Sequence, residues 1–145
     1  MEFSDKYKKL GQILSQKLRD ENYKAYLERK EYAKSMSLEE YKQLPRNSNY
    51  APGFQKLDDE RFEFLNSLNE GQLEILDRMM LSLLDNTAFN FLREIEEYLD
   101  EDESIGITID GVNVEKITQE FLSGTMFGEY FLWIENYSKY GKFQH

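Results

Sequence analysis

The stretch Leu73-Glu74-Ile75-Leu76-Asp77-Arg78-Met79-Met80-Leu81-Ser82-Leu83-Leu84 decides the fold class. Its apolar residues fall on nearly every side of a helix, so it reads as a buried central helix. Asn69-Glu70-Gly71-Gln72 precedes it as a capping box, in which the Asn69 and Gln72 side chains each serve the other's backbone N–H. Behind it, Asp85-Asn86-Thr87 offers a break or a second cap. Phe89, Phe91, Leu92, Ile95, Tyr98 and Leu99 then continue a helical pattern to about Asp100. Asp77 is the carboxylate that interrupts the apolar run, and the spacing reads it as an ion-pair partner on a solvent stripe, with Arg78 adjacent.

Upstream, Ser4 caps a helix to about Arg19, with Phe3, Tyr7, Leu10, Ile13, Leu14 and Leu18 as its stripe. Gly11 interrupts that stripe at about 1 kcal/mol relative to Ala. Asp20-Glu21-Asn22 opens a second, tyrosine-rich helical stretch to about Lys34. Ser37-Leu38-Glu39-Glu40 is a capping box for a short helix ending before Pro45. Residues 45–56 carry both prolines and read as a loop, and Asp58 or Asp59 starts the next helix, with Phe62, Leu65 and Leu68 inward.

Downstream, Ile105, Ile107 and Ile109 alternate with small residues before Asp110-Gly111 and Val112-Asn113-Val114. Asp-Gly suits a two-residue type I′ turn, which pairs Ile109 with Val112, Thr108 with Asn113 and Ile107 with Val114 and puts the apolar side chains on one face. Short helices over about Glu115–Ser123 and Thr125–Tyr140 follow, separated by Gly124. The expected fold is therefore mainly α (α+β): a compact multi-helix domain with one small β-hairpin, about 105–114, between the central and C-terminal helices. Residues 1–145 read as a single domain, in which a basic, Tyr-rich helical segment, 1–44, docks on an acidic body, 57–145.

Charge divides along the same line. Residues 1–56 hold 12 Lys/Arg and 8 Asp/Glu, and residues 57–145 hold 6 and 20, a net of +4 against −14. The overall charge of −10 argues against nucleic acid as a partner, because phosphate is repelled. The longest apolar runs fall far short of the ~20 residues of a membrane span, and no export signal stands at the N-terminus, so membrane association is not expected and the cytoplasm is the default location.

Catalytic chemistry finds little to build on. The chain has no cysteine and one histidine, His145, at its end. Thiolate zinc sites, cysteine nucleophiles and Ser–His pairs are excluded together. Asp100-Glu101-Asp102-Glu103 fails as an EF-hand, with Ile105 at the turn glycine and Gly111 at the bidentate Glu. Gly124-Thr125-Met126-Phe127-Gly128 lacks the strand and lysine of a phosphate loop. No cofactor, metal or catalytic residue is expected, and the chain reads as non-enzymatic.

The expected binding surface is the C-terminal helix. Tyr130, Trp133, Tyr137 and Tyr140 combine large apolar area with polar tips, the composition of binding hot spots. Glu129 and Glu135 would rim that patch, and Asp100 and Asp102 extend the acidic surface. The expectation is a protein-interaction module for a basic protein partner. In size and composition the chain resembles small acidic bacterial immunity or antitoxin proteins. Two alternatives stand beside it: a structural or oligomer-forming component, such as a phage or assembly protein, whose 21–34 helix packs on a second copy, and a small-molecule binder or enzyme using carboxylates and tyrosines in a helical pocket.

Overall fold

The structure is a computed structural model, and it describes residues 2–101 and 105–141. Among them it is mainly α. It has six α-helices and one two-stranded hairpin: α1 Asp5–Ser15, α2 Glu21–Lys34, α3 Leu38–Lys42, α4 Pro52–Ser67, α5 Glu70–Glu101 and α6 Met126–Tyr137, with β1 Thr108–Ile109 and β2 Val112–Asn113 between α5 and α6 in the chain. The chain divides into two compact units. One joins Met1–Tyr23 to Met80–His145, and the other is the continuous segment Lys24–Met79.

Local chemistry sets the element ends. The Ser4 hydroxyl accepts from the Tyr7 N–H, and Ser37 accepts from the Glu40 N–H at 3.1 Å. Asn69 and Gln72 close their box with two bonds of 2.9 Å. α4 begins six residues earlier than its acidic pair suggests, because Pro52 occupies the first turn, where its missing N–H has no partner to lose. Lys34 holds the other end of α4, donating to the carbonyls of Asn66 at 2.8 Å and Leu68 at 2.5 Å.

Three helical expectations are corrected. α1 and α2 do not break at Asp20. A π-helical turn, Gln16–Asp20, carries the chain from one to the other without leaving the helical region. α5 runs unbroken for 32 residues through Asp85-Asn86-Thr87. Its 73–84 portion is not buried all round, since Ile75, Met79 and Leu83 are 51%, 60% and 60% exposed. The short helix expected near 115–123 is present as a 3-10 helix, Val114–Glu120, with Asn113 as its cap.

The hairpin has the register read from the sequence: Thr108 faces Asn113 and Ile109 faces Val112. Asp110 and Gly111 both take positive φ, 51° and 76°, as a type I′ turn requires. The Val114 N–H donates to the Ile107 carbonyl at 2.8 Å, which hands the ladder to the 3-10 helix.

The core of the first unit gathers α1, α5, the 3-10 helix and α6 around Trp133. Tyr7, Leu10, Ala88, Leu92 and Ile117 are buried there. Tyr7 meets the indole edge-on at 5.5 Å and Phe121 meets it at 5.6 Å. The core of the Lys24–Met79 unit is smaller and aromatic. Tyr41 stacks on Phe62 at 3.9 Å, and Tyr32 meets the two rings edge-on at 6.4 and 5.7 Å.

Candidate functional site

α6 turns its aromatic face inward. Trp133, Tyr130 and Glu129 are all fully buried. The expectation of Trp133 and Tyr130 as a solvent-facing patch rimmed by Glu129 is therefore corrected. The physical reason is Gly11. Without a side chain at this position, α1 packs directly against the indole. Glu135 is exposed and Tyr137 and Tyr140 are half-buried. Tyr140 meets Tyr23 edge-on at 4.9 Å. The side chain of Asp100, Asp102 and His145 lie outside the described residues.

Glu129 accepts from the Tyr7 hydroxyl, from the Ser123 N–H at 2.9 Å and from the Ser123 hydroxyl at 2.8 Å. Burial, reinforced by Glu129, pushes the Tyr7 phenol well above its usual range. A second buried group lies around Arg19. Its Nε donates to Asp85 at 2.8 Å and its guanidinium donates to the Ser138 hydroxyl at 2.7 Å. Tyr130 donates to the same Asp85 at 2.8 Å, and burial raises its phenol far above the usual value. Ser138 in turn donates to Asp20 at 2.6 Å, and Asp20 also accepts the Lys139 N–H at 2.8 Å. Sequence reasoning missed this network. Arg19, Asp85 and Ser138 are far apart along the chain, and no local spacing joins them.

The open surface of this unit lies on α5. Leu83, Phe91 and Tyr98 are 60%, 52% and 46% exposed. At about 100° per residue they fall within roughly 80° of arc, with Glu94 exposed inside it and Glu97 exposed about 40° beyond Leu83. Ala88, Leu92 and Leu99 are buried on another side, centred about 120° round the helix.

The Lys24–Met79 unit holds an open cleft of about 600 Å³, within the range of small-molecule sites. It gathers Arg29, Arg46 and Arg61, three of the chain's six arginines. Asp58 sits between two of them, 3.7 Å from Arg29 and 3.7 Å from Arg61, and accepts the Tyr50 hydroxyl at 2.7 Å. That bond raises the Tyr50 phenol. Arg46 is held more tightly, donating to Asp59 at 2.6 Å with its guanidinium 5.6 Å above the Tyr41 ring. Tyr41 also donates to Asp59 at 2.7 Å. Burial first, and Asp59 second, push its phenol up to about 12. The bonds from Arg46 and Tyr41 hold the Asp59 carboxyl below its usual range. Asp77 is paired as expected of it, although its cation is Lys30 at 2.8 Å and not Arg78, and it also accepts the Tyr26 hydroxyl at 2.7 Å.

Among the described residues, no group of three or more His, Asp or Glu side chains could hold a metal ion, and no helix is long and apolar enough to cross a membrane. No protein-family model matches the chain, and neither a curated protein nor a solved structure is similar to it.

Proposed function

We propose that the chain is a non-enzymatic protein-interaction module that docks a basic protein partner on the outward face of α5 within residues 80–101. The observation that carries this reading is the exposure of Leu83, Phe91 and Tyr98 along one side of a helix that is buried on another. Aligned exposed apolar side chains of this size mark interaction surfaces, and aromatic residues supply most of the affinity of an interface. Glu94 and Glu97 beside them, and the −14 charge of residues 57–145, favour a cationic partner and speed its approach. An immunity or antitoxin role, in which the face covers a basic toxin, is the finer form of the same reading. α2 is a weaker platform for a second copy, because Tyr23 and Tyr26 are buried within the chain.

The test compares the native chain with a Leu83→Asp, Phe91→Asp double variant in capture from the native host, at low and high salt. The expected result is a basic protein retained by the native chain, weakened by salt and lost with the double variant. Equal capture by both forms, or a concentration-dependent dimer of the chain itself, would overturn it. Circular dichroism of the variant confirms that the fold is intact.

A further inference from the structure

We propose that the cleft of the Lys24–Met79 unit is a binding site for a small planar aromatic molecule carrying a single carboxylate. It is independent of the face on α5, and three observations carry it.

The first is the arrangement of charge. Arg46 is committed to Asp59 at 2.6 Å. Glu28 lines the cleft too, and Lys24, 3.7 Å away, offsets its charge. Arg29 and Arg61 share one carboxylate, Asp58, and at 3.7 Å neither is within hydrogen-bond reach of it. Two guanidiniums against one carboxylate leave one net positive charge facing the cleft. A monoanion matches that charge, and guanidinium binds carboxylate through paired N–H donors.

The second is the wall. The cleft is lined by Tyr32 and Tyr50, 47% and 38% exposed, together with the buried Tyr41–Phe62 stack. The two exposed phenol rings give a ring-shaped ligand aromatic partners. The third is the opening itself, which has room for a bicyclic ligand at about 600 Å³.

Asp58 holds the position next to the two guanidiniums and so competes with an incoming anion. This fixes the sign of one experiment. The full chain is titrated with 2-naphthoate, with neutral 2-naphthamide and with 2-naphthyl phosphate, followed by amide and arginine side-chain NMR shifts. Naphthoate is expected to shift resonances of residues 25–65, with naphthamide at least about tenfold weaker. Arg29→Gln, at a side chain 52% exposed, weakens naphthoate about tenfold. Asp58→Asn tightens naphthoate several-fold and leaves naphthamide unchanged. The site is refuted if naphthamide binds as well as naphthoate, if Asp58→Asn weakens naphthoate, or if no probe shifts the cleft at millimolar concentration. Tighter binding of the phosphate dianion than of naphthoate overturns the assignment to a monoanionic carboxylate.

Discussion

Gly11 and Trp133 are in direct contact: a Cβ built on Gly11 would lie 2.4 Å from Cδ1 of the indole. Real Cβ atoms do not approach other atoms so closely, and Trp133 is fully buried with no room to yield. The glycine weakens α1 by its propensity and is needed there for its size. Gly11→Ala is therefore expected to destabilise the fold by about 1–3 kcal/mol, despite alanine's better helix propensity. Thermal denaturation should show a melting point lowered by several degrees. An unchanged or raised melting point would show that α1 can back away from the indole.

Arg19 and Asp85 form an ion pair inside the first unit, with side chains 0% and 10% exposed. Removing one partner leaves a charge buried without its counter-ion. Arg19→Met is expected to cost about 3–5 kcal/mol, measured by denaturant unfolding. The double variant Arg19→Met, Asp85→Asn should recover part of that loss, because the remaining group is neutral and can still accept from Tyr130. Strict additivity of the two single changes would argue that the pair is not coupled.

Tyr41 and Asp59 set opposite limits on stability against pH. The Tyr41 phenol titrates at about 12 in the folded chain, above its ordinary 10.0. Above pH 10 the unfolded chain has lost that proton and the folded chain keeps it. Its contribution to stability is complete below 10 and is lost as the pH rises towards 12. Asp59 works at the acid end. Its carboxyl lies below the ordinary 3.8, so its contribution is present above that value and disappears as the pH falls through the folded one. Phenolate absorbance should show a late-titrating component that Tyr41→Phe reduces, and Asp59→Asn should flatten the acid limb of the stability curve. A Tyr41→Phe titration identical to the native one would remove this assignment.

Glu129 is buried among hydroxyl and backbone donors. Glu129→Ala leaves the Ser123 N–H and the Tyr7 hydroxyl without their acceptor, a loss of about 1–3 kcal/mol for each unsatisfied group. Glu129→Gln keeps one acceptor oxygen and should lose less. Hydrogen exchange at Ser123 reports the difference. Equal exchange in the two variants would mean that the carboxylate does not hold the turn before α6.

The parts of the fold that were legible in the sequence are those fixed by neighbours along the chain. Asp110-Gly111 specified both the turn and the register, and Ser4, Ser37 and Asn69 specified helix starts, because each acts over two to four residues. The candidate sites were far less legible. The sequence reading placed the C-terminal helix at the surface because of its aromatic density. Yet α6 is apolar on most sides, and which side faces inward depends on α1, more than a hundred residues away. Gly11, within an otherwise apolar stripe, was the one local sign that something bulky packs there. The arginine cleft left no trace in spacing, because Arg29, Arg46 and Arg61 come from three different elements. Asp85 read as a possible helix break, and it became a buried acceptor only once Arg19 reached it.

The discontinuity of the first unit governs the order in which the chain can fold during synthesis. Ser4 bonds to Glu120 across 116 residues, and Tyr7 and Gly11 pack against groups on α6. At ribosomal speeds of about 5–20 residues per second, α1 waits roughly 6–23 s for those partners to be made. The Lys24–Met79 unit is continuous and complete long before that. It can close while α1 is still unpaired, leaving the apolar side of an amphipathic helix uncovered. This nascent stage, more than the finished fold, is where the chain is most open to aggregation and to capture by chaperones.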